Sequence, residues 1–279
     1  MISQLRNMMA EIESWESAAE FGISQDLWAE YQVRLRSDDL YIAVLSTVFD
    51  VLRTKDSDDR KRNLSELAKT LLIYSRSAAS KYLTGIDKSI NLLYCAATFY
   101  LAGFPATATF VVKQISCRFV SIEERFLYGL LNRKFNNSNE LENKFSIWLG
   151  TSNVAQFNNI KLHFISKQHQ GLIDDPRLFI ASKLTVDCLT RFQEFNIWDN
   201  LRENAANFNQ DIWKVFLINS DAFPLWELFP SQMTAIKSGI LDDEDKVYSL
   251  QMPTSAGKTS LCEILIYHEV KSRGKKFFF

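Results

Sequence analysis

Residues 89–112, "SINLLYCAATFYLAGFPATATFVV", carry no charged side chain over a length that would span a bilayer, and any fold must find a place for them. The run is interrupted by "AGFPA", which places Gly103 just past the end of one helix and Pro105 at the first turn of the next. That punctuation predicts a helical hairpin buried in protein rather than a membrane span. On the first arm Ile86, Ile90, Leu93, Tyr94, Ala97, Tyr100 and Leu101 recur at helical spacing, which leaves Asn91 and Thr98 for a more polar side.

The chain up to about residue 220 reads in the same way. Glycine and proline total 14 of 279 residues, about 5% against the roughly 12% of average usage, and both are depleted where helix interiors dominate. Periodicity predicts helices over roughly 2–20, 25–36, 39–53, 60–83, 86–102, 105–117, 121–134, 139–149, 154–170, 176–194 and 197–218. The breaks have local causes: "RSDD" and "KDSDDRKRN" are charged turns, Gly85 and Gly103 suit helix ends, "NNSN" at 136–139 caps, and "DDP" at 174–176 starts a helix. Short connections imply antiparallel neighbours, and the pair spanning 86–117, with Ala96, Ala97, Ala106 and Ala108 near its turn, resembles an α-solenoid of the tetratricopeptide type. No 34-residue period holds along the chain, so the expected architecture is mostly α, an irregular and at most solenoid-like helical domain.

Composition excludes several classes. Hydrophobic residues make up 47% of the chain, which rules out a disordered one. The 32 basic and 33 acidic residues nearly cancel, so a nucleic-acid contact must come from a local patch. Cys95, Cys117, Cys188 and Cys262 form no CxxC pair, and His163, His169 and His268 have no metal-ligand spacing; the reading is reduced thiols in a cytoplasmic protein. The N-terminus lacks the pattern of a secretory signal and reads as an amphipathic helix with Ile2, Leu5, Met9 and Ile12 on one stripe. Trp15, Trp28, Phe126, Trp148, Phe192 and Trp213 sit at helical spacing and are expected in the core rather than stacked on nucleobases.

Near residue 220 the texture changes. "NSDAFPLWELFPSQ" brings prolines and large aromatics together, and a domain boundary is expected there, with a helical domain at 1–220 and a second domain from 221 to 279. The second domain reads as a short helix (231–239), an acidic loop "DDED" (242–245) with no assigned chemistry, a strand "KVYSLQM" (246–252), the loop "PTSAGK", a helix from Thr259 to Ser272, and a second strand opening "KKFFF". This order begins a parallel α/β sheet. "KSRGKK" at 271–276 is expected to cap the preceding helix, with Gly274 ending it.

A phosphate-binding loop needs inward-pointing backbone N–H groups and a helix N-terminus behind them. The stretch "PTSAGKTS", which is Pro253, Thr254, Ser255, Ala256, Gly257, Lys258, Thr259 and Ser260, supplies both between strand and helix. Gly257 lets the backbone approach a phosphate, Lys258 can reach the β- and γ-phosphates, and the Thr259 hydroxyl can hold Mg²⁺. The consensus GxxxxGK[ST] asks for glycine where this chain has Met252.

"PTSAGKT" resembles motif I of superfamily 2 helicases of the DEAD/DEAH-box type, in which that first glycine is commonly replaced, and the Ski2-like branch is most similar. "WELFPSQMTAI" at 226–236 resembles that branch's Q motif. The resemblance covers roughly residues 223–279 and implies a RecA-like lobe binding ATP and Mg²⁺. It places Gln232 on the adenine edge, Phe229 and Pro230 at the base, and residues 253–259 on the phosphates, with Lys258 and Thr259 catalytic. It implies DNA or RNA as substrate. The long helical extension resembles that of helicase subunits in Hachiman-type bacterial anti-phage systems, where the motor pairs with a nuclease subunit. The chain ends at Phe279, before an acidic motif II and a second lobe, so it is expected to be the N-terminal part of a longer enzyme and inactive alone. The alternative is a helical protein-interaction module of a defence or repair complex. Nucleotide kinases share the loop but usually keep its first glycine and lack "LFPSQ".

Overall fold

The computed structural model of the chain describes residues 37–76, 85–116, 118–218, 225–242 and 257–271, with single positions at 2, 7, 249, 251 and 274. All but two positions of the helix expected at 2–20, the helix expected at 25–36, Trp15, Trp28 and Cys117, and the start of the second expected strand lie outside the described residues, as do all but two positions of the strand expected at 246–252. The described residues are mostly helical and include no strand. Their helices are α1 (Ser37–Leu52), α2 (Asp58–Arg76), α3 (Gly85–Leu101), α4 (Pro105–Val112), α5 (Ile122–Asn132) and α6 (Glu140–Thr151). There follow α7 (Val154–Asp174), α8 (Pro176–Phe195), α9 (Ile197–Asn204), α10 (Gln210–Leu217), α11 (Pro230–Ala235) and α12 (Lys258–Lys271). Packing divides the chain into two compact units, Met1–Glu142 with Lys161–Cys188, and Asn143–Ile160 with Leu189–Phe279.

In the first unit, the uncharged run forms the expected hairpin of α3 and α4. Gly103 takes φ 94°, its N–H bonds the Tyr100 carbonyl and Phe104 N–H bonds Phe99, which is the paired closure of a Schellman turn. Pro105 then opens α4, where its missing N–H costs nothing. The polar side expected for α3 does not exist: Asn91 and Thr98 are buried like their apolar neighbours. The Thr98 hydroxyl is satisfied by the Tyr94 carbonyl at 2.8 Å, and Cys95 Sγ donates to the Ala68 carbonyl of α2 at 3.2 Å. A helix buried all round needs no polar face, which is why this one imitates a membrane span. No helix among the described residues is long and apolar enough to cross a membrane.

Polar residues also organise this unit. Glu124, fully buried on α5, accepts from Arg177 Nε at 2.6 Å and Nη2 at 2.9 Å, a two-pronged pairing across 53 positions of sequence. Arg177 is aimed by the start of α8, where the Asp175 carboxylate caps its N–H and Pro176 takes the first helical position. Burial, reinforced by the Glu124 carboxylate, pushes the nearby Tyr94 hydroxyl well above the ordinary tyrosine range.

The second unit is built on aromatic rings. Phe145, Trp148, Phe157, Phe192 and Trp226 lie with centroids 5.0–6.4 Å apart, and the Trp198 indole N–H reaches the Leu149 carbonyl at 3.0 Å. The core role expected for Phe126, Trp148, Phe192 and Trp213 is met; all four are buried. The single helix expected over 197–218 is instead two, α9 and α10. Asn207 turns the chain through φ 53°, and the Asn209 side chain accepts from the N–H groups of Asp211 and Ile212, starting a new helix. The helix expected over 105–117 also stops early, at Val112.

Candidate functional site

The segment that leads into the Q-like element is strapped to the preceding helices. Leu225 N–H bonds the Leu217 carbonyl, Ile197 N–H bonds Trp226, and Leu228 N–H bonds Phe195, with an antiparallel bridge between Asn196 and Glu227. Trp226 and Leu228 are buried by this pairing, which delivers Phe229 to the start of α11. Phe229 takes an extended conformation and Pro230 the first helical position. Gln232, the third, folds back so that its Oε1 accepts from Phe229 N–H at 2.8 Å. The short helix ends in a π-type turn, Ile236–Ile240, closed by Gly239 at φ 85°.

Gln232 is almost completely buried, and its other end explains why. Its Nε2 donates to the Gly257 carbonyl at 2.8 Å. That carbonyl also accepts Leu261 N–H at 3.1 Å, closing the first turn of α12. Gly257 has φ 77°, and a Cβ there would strike Gln232 Nε2 and stand 3.0 Å from Phe229 Cδ2. Both the backbone angle and the space therefore require glycine.

The structure thus brings Phe229, Gln232 and Gly257 together, and places Lys258, Thr259 and Ser260 on the first turn beside them. Lys258 and Thr259 are exposed and Ser260 is half-buried. The N–H groups of a helix's first turn have no partner within the helix, and its dipole makes that end positive. Pro253, Thr254, Ser255 and Ala256 lie outside the described residues. Gly274 has φ 66°.

Sequence reasoning missed what holds α12 from behind. Its buried stripe of Leu261, Ile264 and His268 has legible helical spacing, but the surface it meets does not. That surface includes α10: the Tyr267 hydroxyl donates to the Ile212 carbonyl at 2.6 Å, its ring stacks on Phe216 at 4.5 Å, and Trp213 stacks on His268 at 6.1 Å. Burial raises the Tyr267 hydroxyl above its ordinary value.

Among the described residues no cluster of His, Cys, Asp or Glu could hold a metal ion. The one hydroxyl expected on Mg²⁺, Thr259, stands exposed on the first turn of α12. No protein-family model and no curated protein sequence matches the chain.

Proposed function

We propose that the chain is the N-terminal part of an ATP-dependent superfamily 2 nucleic-acid helicase, and that residues 229–260 bind its nucleotide. The observation that carries this is the bond between Gln232 and Gly257, which joins the two motifs across 25 positions of sequence. A primary amide has two N–H donors and two acceptor lone pairs. Gln232 spends one of each within the protein; its second donor and acceptor, buried in the structure, are the pair we assign to the adenine edge. The donor set suits ATP: a glycine that lets the start of α12 lie against Gln232 and Phe229, first-turn amides, an exposed Lys258, and the Thr259 and Ser260 hydroxyls. Bound Mg²⁺ would neutralise phosphate charge, with Thr259 as the residue to hold it.

Calorimetric titration with Mg²⁺-ATP and Mg²⁺-GTP tests the reading. The chain is expected to bind ATP in preference to GTP, Gln232→Ala to lose that preference, and Lys258→Ala to bind at least about tenfold more weakly. A chain that binds neither nucleotide overturns the proposal. With only part of a motor present, phosphate release is expected to match the Lys258→Ala control. A second reading, a helical interaction module, draws on apolar side chains left in solvent, among them Val120 and Ile173 at 82% and 86% exposure. A nuclease subunit captured by the chain regardless of nucleotide would favour it.

A further inference from the structure

We infer that Tyr267 is a positioning residue for the nucleotide site, acting by pinning the phosphate-facing helix α12 to α10; this rests on the nucleotide reading above. Besides its buried stripe of Leu261, Ile264 and His268, α12 is anchored at two places. At its start the Gly257 carbonyl is gripped by Gln232. Ten residues on, Tyr267 is bonded to the Ile212 carbonyl, stacked on Phe216 with 16° between the planes, and tilted against Trp213 at 5.4 Å. At 1.5 Å of rise per residue these anchors are about 15 Å apart on one stiff rod.

On the first turn the exposed Lys258 and Thr259 contribute no packing of their own, while Leu261 and Ile264 behind them are buried. The direction in which the first-turn amides point is therefore set by that buried stripe together with the two anchors. There is little slack at the front, because Gly257 already sits against Gln232 and Phe229 with no room for one more carbon. A rotation of the rear of α12 over α10 must accordingly change the contact between Gly257 and Gln232. Such coupling is reciprocal: an anion on the first turn favours the arrangement in which Tyr267 is docked, and docking of Tyr267 favours the anion. Trp213, which touches both Tyr267 and His268, then senses an occupied site from the far end of the helix.

The test uses the 279-residue chain labelled with 5-fluorotryptophan, the Trp213 fluorine resonance being assigned from Trp213→Phe. Mg²⁺-ATP is titrated by calorimetry and by fluorine NMR. Tyr267→Phe keeps the ring and removes only the hydroxyl; it is expected to weaken ATP binding about fivefold to tenfold, to abolish the ATP-dependent shift of Trp213, and to unfold cooperatively with a melting temperature only slightly lowered. Phe216→Leu leaves all of α12 intact and removes a stacking partner on α10; it is expected to weaken ATP in the same direction, by about twofold to threefold. If the wild type binds ATP and both variants bind it equally well with the Trp213 response unchanged, the inference falls and the nucleotide reading stands. If the wild type does not bind ATP, both fall.

Discussion

Glu124 has no exposure to solvent, and the free energy of keeping a carboxylate there rests on Arg177. Removing one partner of such a pair leaves an uncompensated charge in a poorly solvated place. The Arg177 side chain is 44% exposed, so water recovers part of the loss. Arg177→Ala is expected to lower the unfolding free energy by about 3 kcal/mol, the lower end of the range for buried pairs. Glu124→Leu combined with Arg177→Met should recover most of it, since replacing both charges removes the desolvation problem. Urea denaturation measures both; a loss of less than about 1 kcal/mol for the single variant would mean that the pair behaves as a surface one. None of this was legible in the sequence. Glu124 looks like any first-turn acid and Arg177 like any first-turn base, and only the fold brings together residues 53 positions apart. Asn91 and Thr98 were misplaced for the same reason: polarity suggests exposure, yet hydrogen bonds such as that from Thr98 to Tyr94 make burial tolerable.

Helix ends were the most legible feature, because their chemistry is local. "AGFPA" gave away a Schellman turn and a proline start, and Asp175 and Pro176 announced α8, all within a few residues of the event they signal. The break between α9 and α10 escaped because "AANFNQ" contains no glycine or proline, and asparagine in a left-handed conformation is only an option until tertiary packing selects it. Once that turn is made, Asn209 has a defined task, accepting from Asp211 and Ile212 N–H at 3.0 and 3.3 Å. Asn209→Ala should cost about 1 kcal/mol, the usual loss for a helix cap, read as a lowered melting temperature. The effect reaches further than one cap, since Ile212 also supplies the carbonyl that receives Tyr267. A melting temperature equal to the wild type's would show that the side chain caps nothing in solution.

At the scale of the whole molecule, the residues that build the candidate site do not stand apart from the helices before them. Residues 189–217, α11 and α12 belong to one compact unit, and its interior is shared. The two stretches that hold Gln232 and Gly257 were legible from their order and spacing. Their support was not, because Phe195, Leu217 and Ile212 meet the site through backbone groups, and a carbonyl leaves no mark in a sequence. A cut at residue 220 would remove Trp226, Leu228, Ile236, Leu241, Leu261 and Ile264, all buried. At about 2 kcal/mol for each large apolar side chain, the loss is on the order of 10 kcal/mol, comparable to the net stability of a domain. It would also uncover Trp213 and take from Phe145 its contact with Trp226. Residues 1–220 produced alone are therefore expected to keep a cooperative unfolding transition for the first unit. Their second-unit helices should bind a hydrophobic dye and lose amide protection. Hydrogen exchange followed by mass spectrometry distinguishes the cases: full protection of residues 189–217 in the shortened chain would mean that these helices stand without the elements that form the site, and that the shared interior contributes little to holding them.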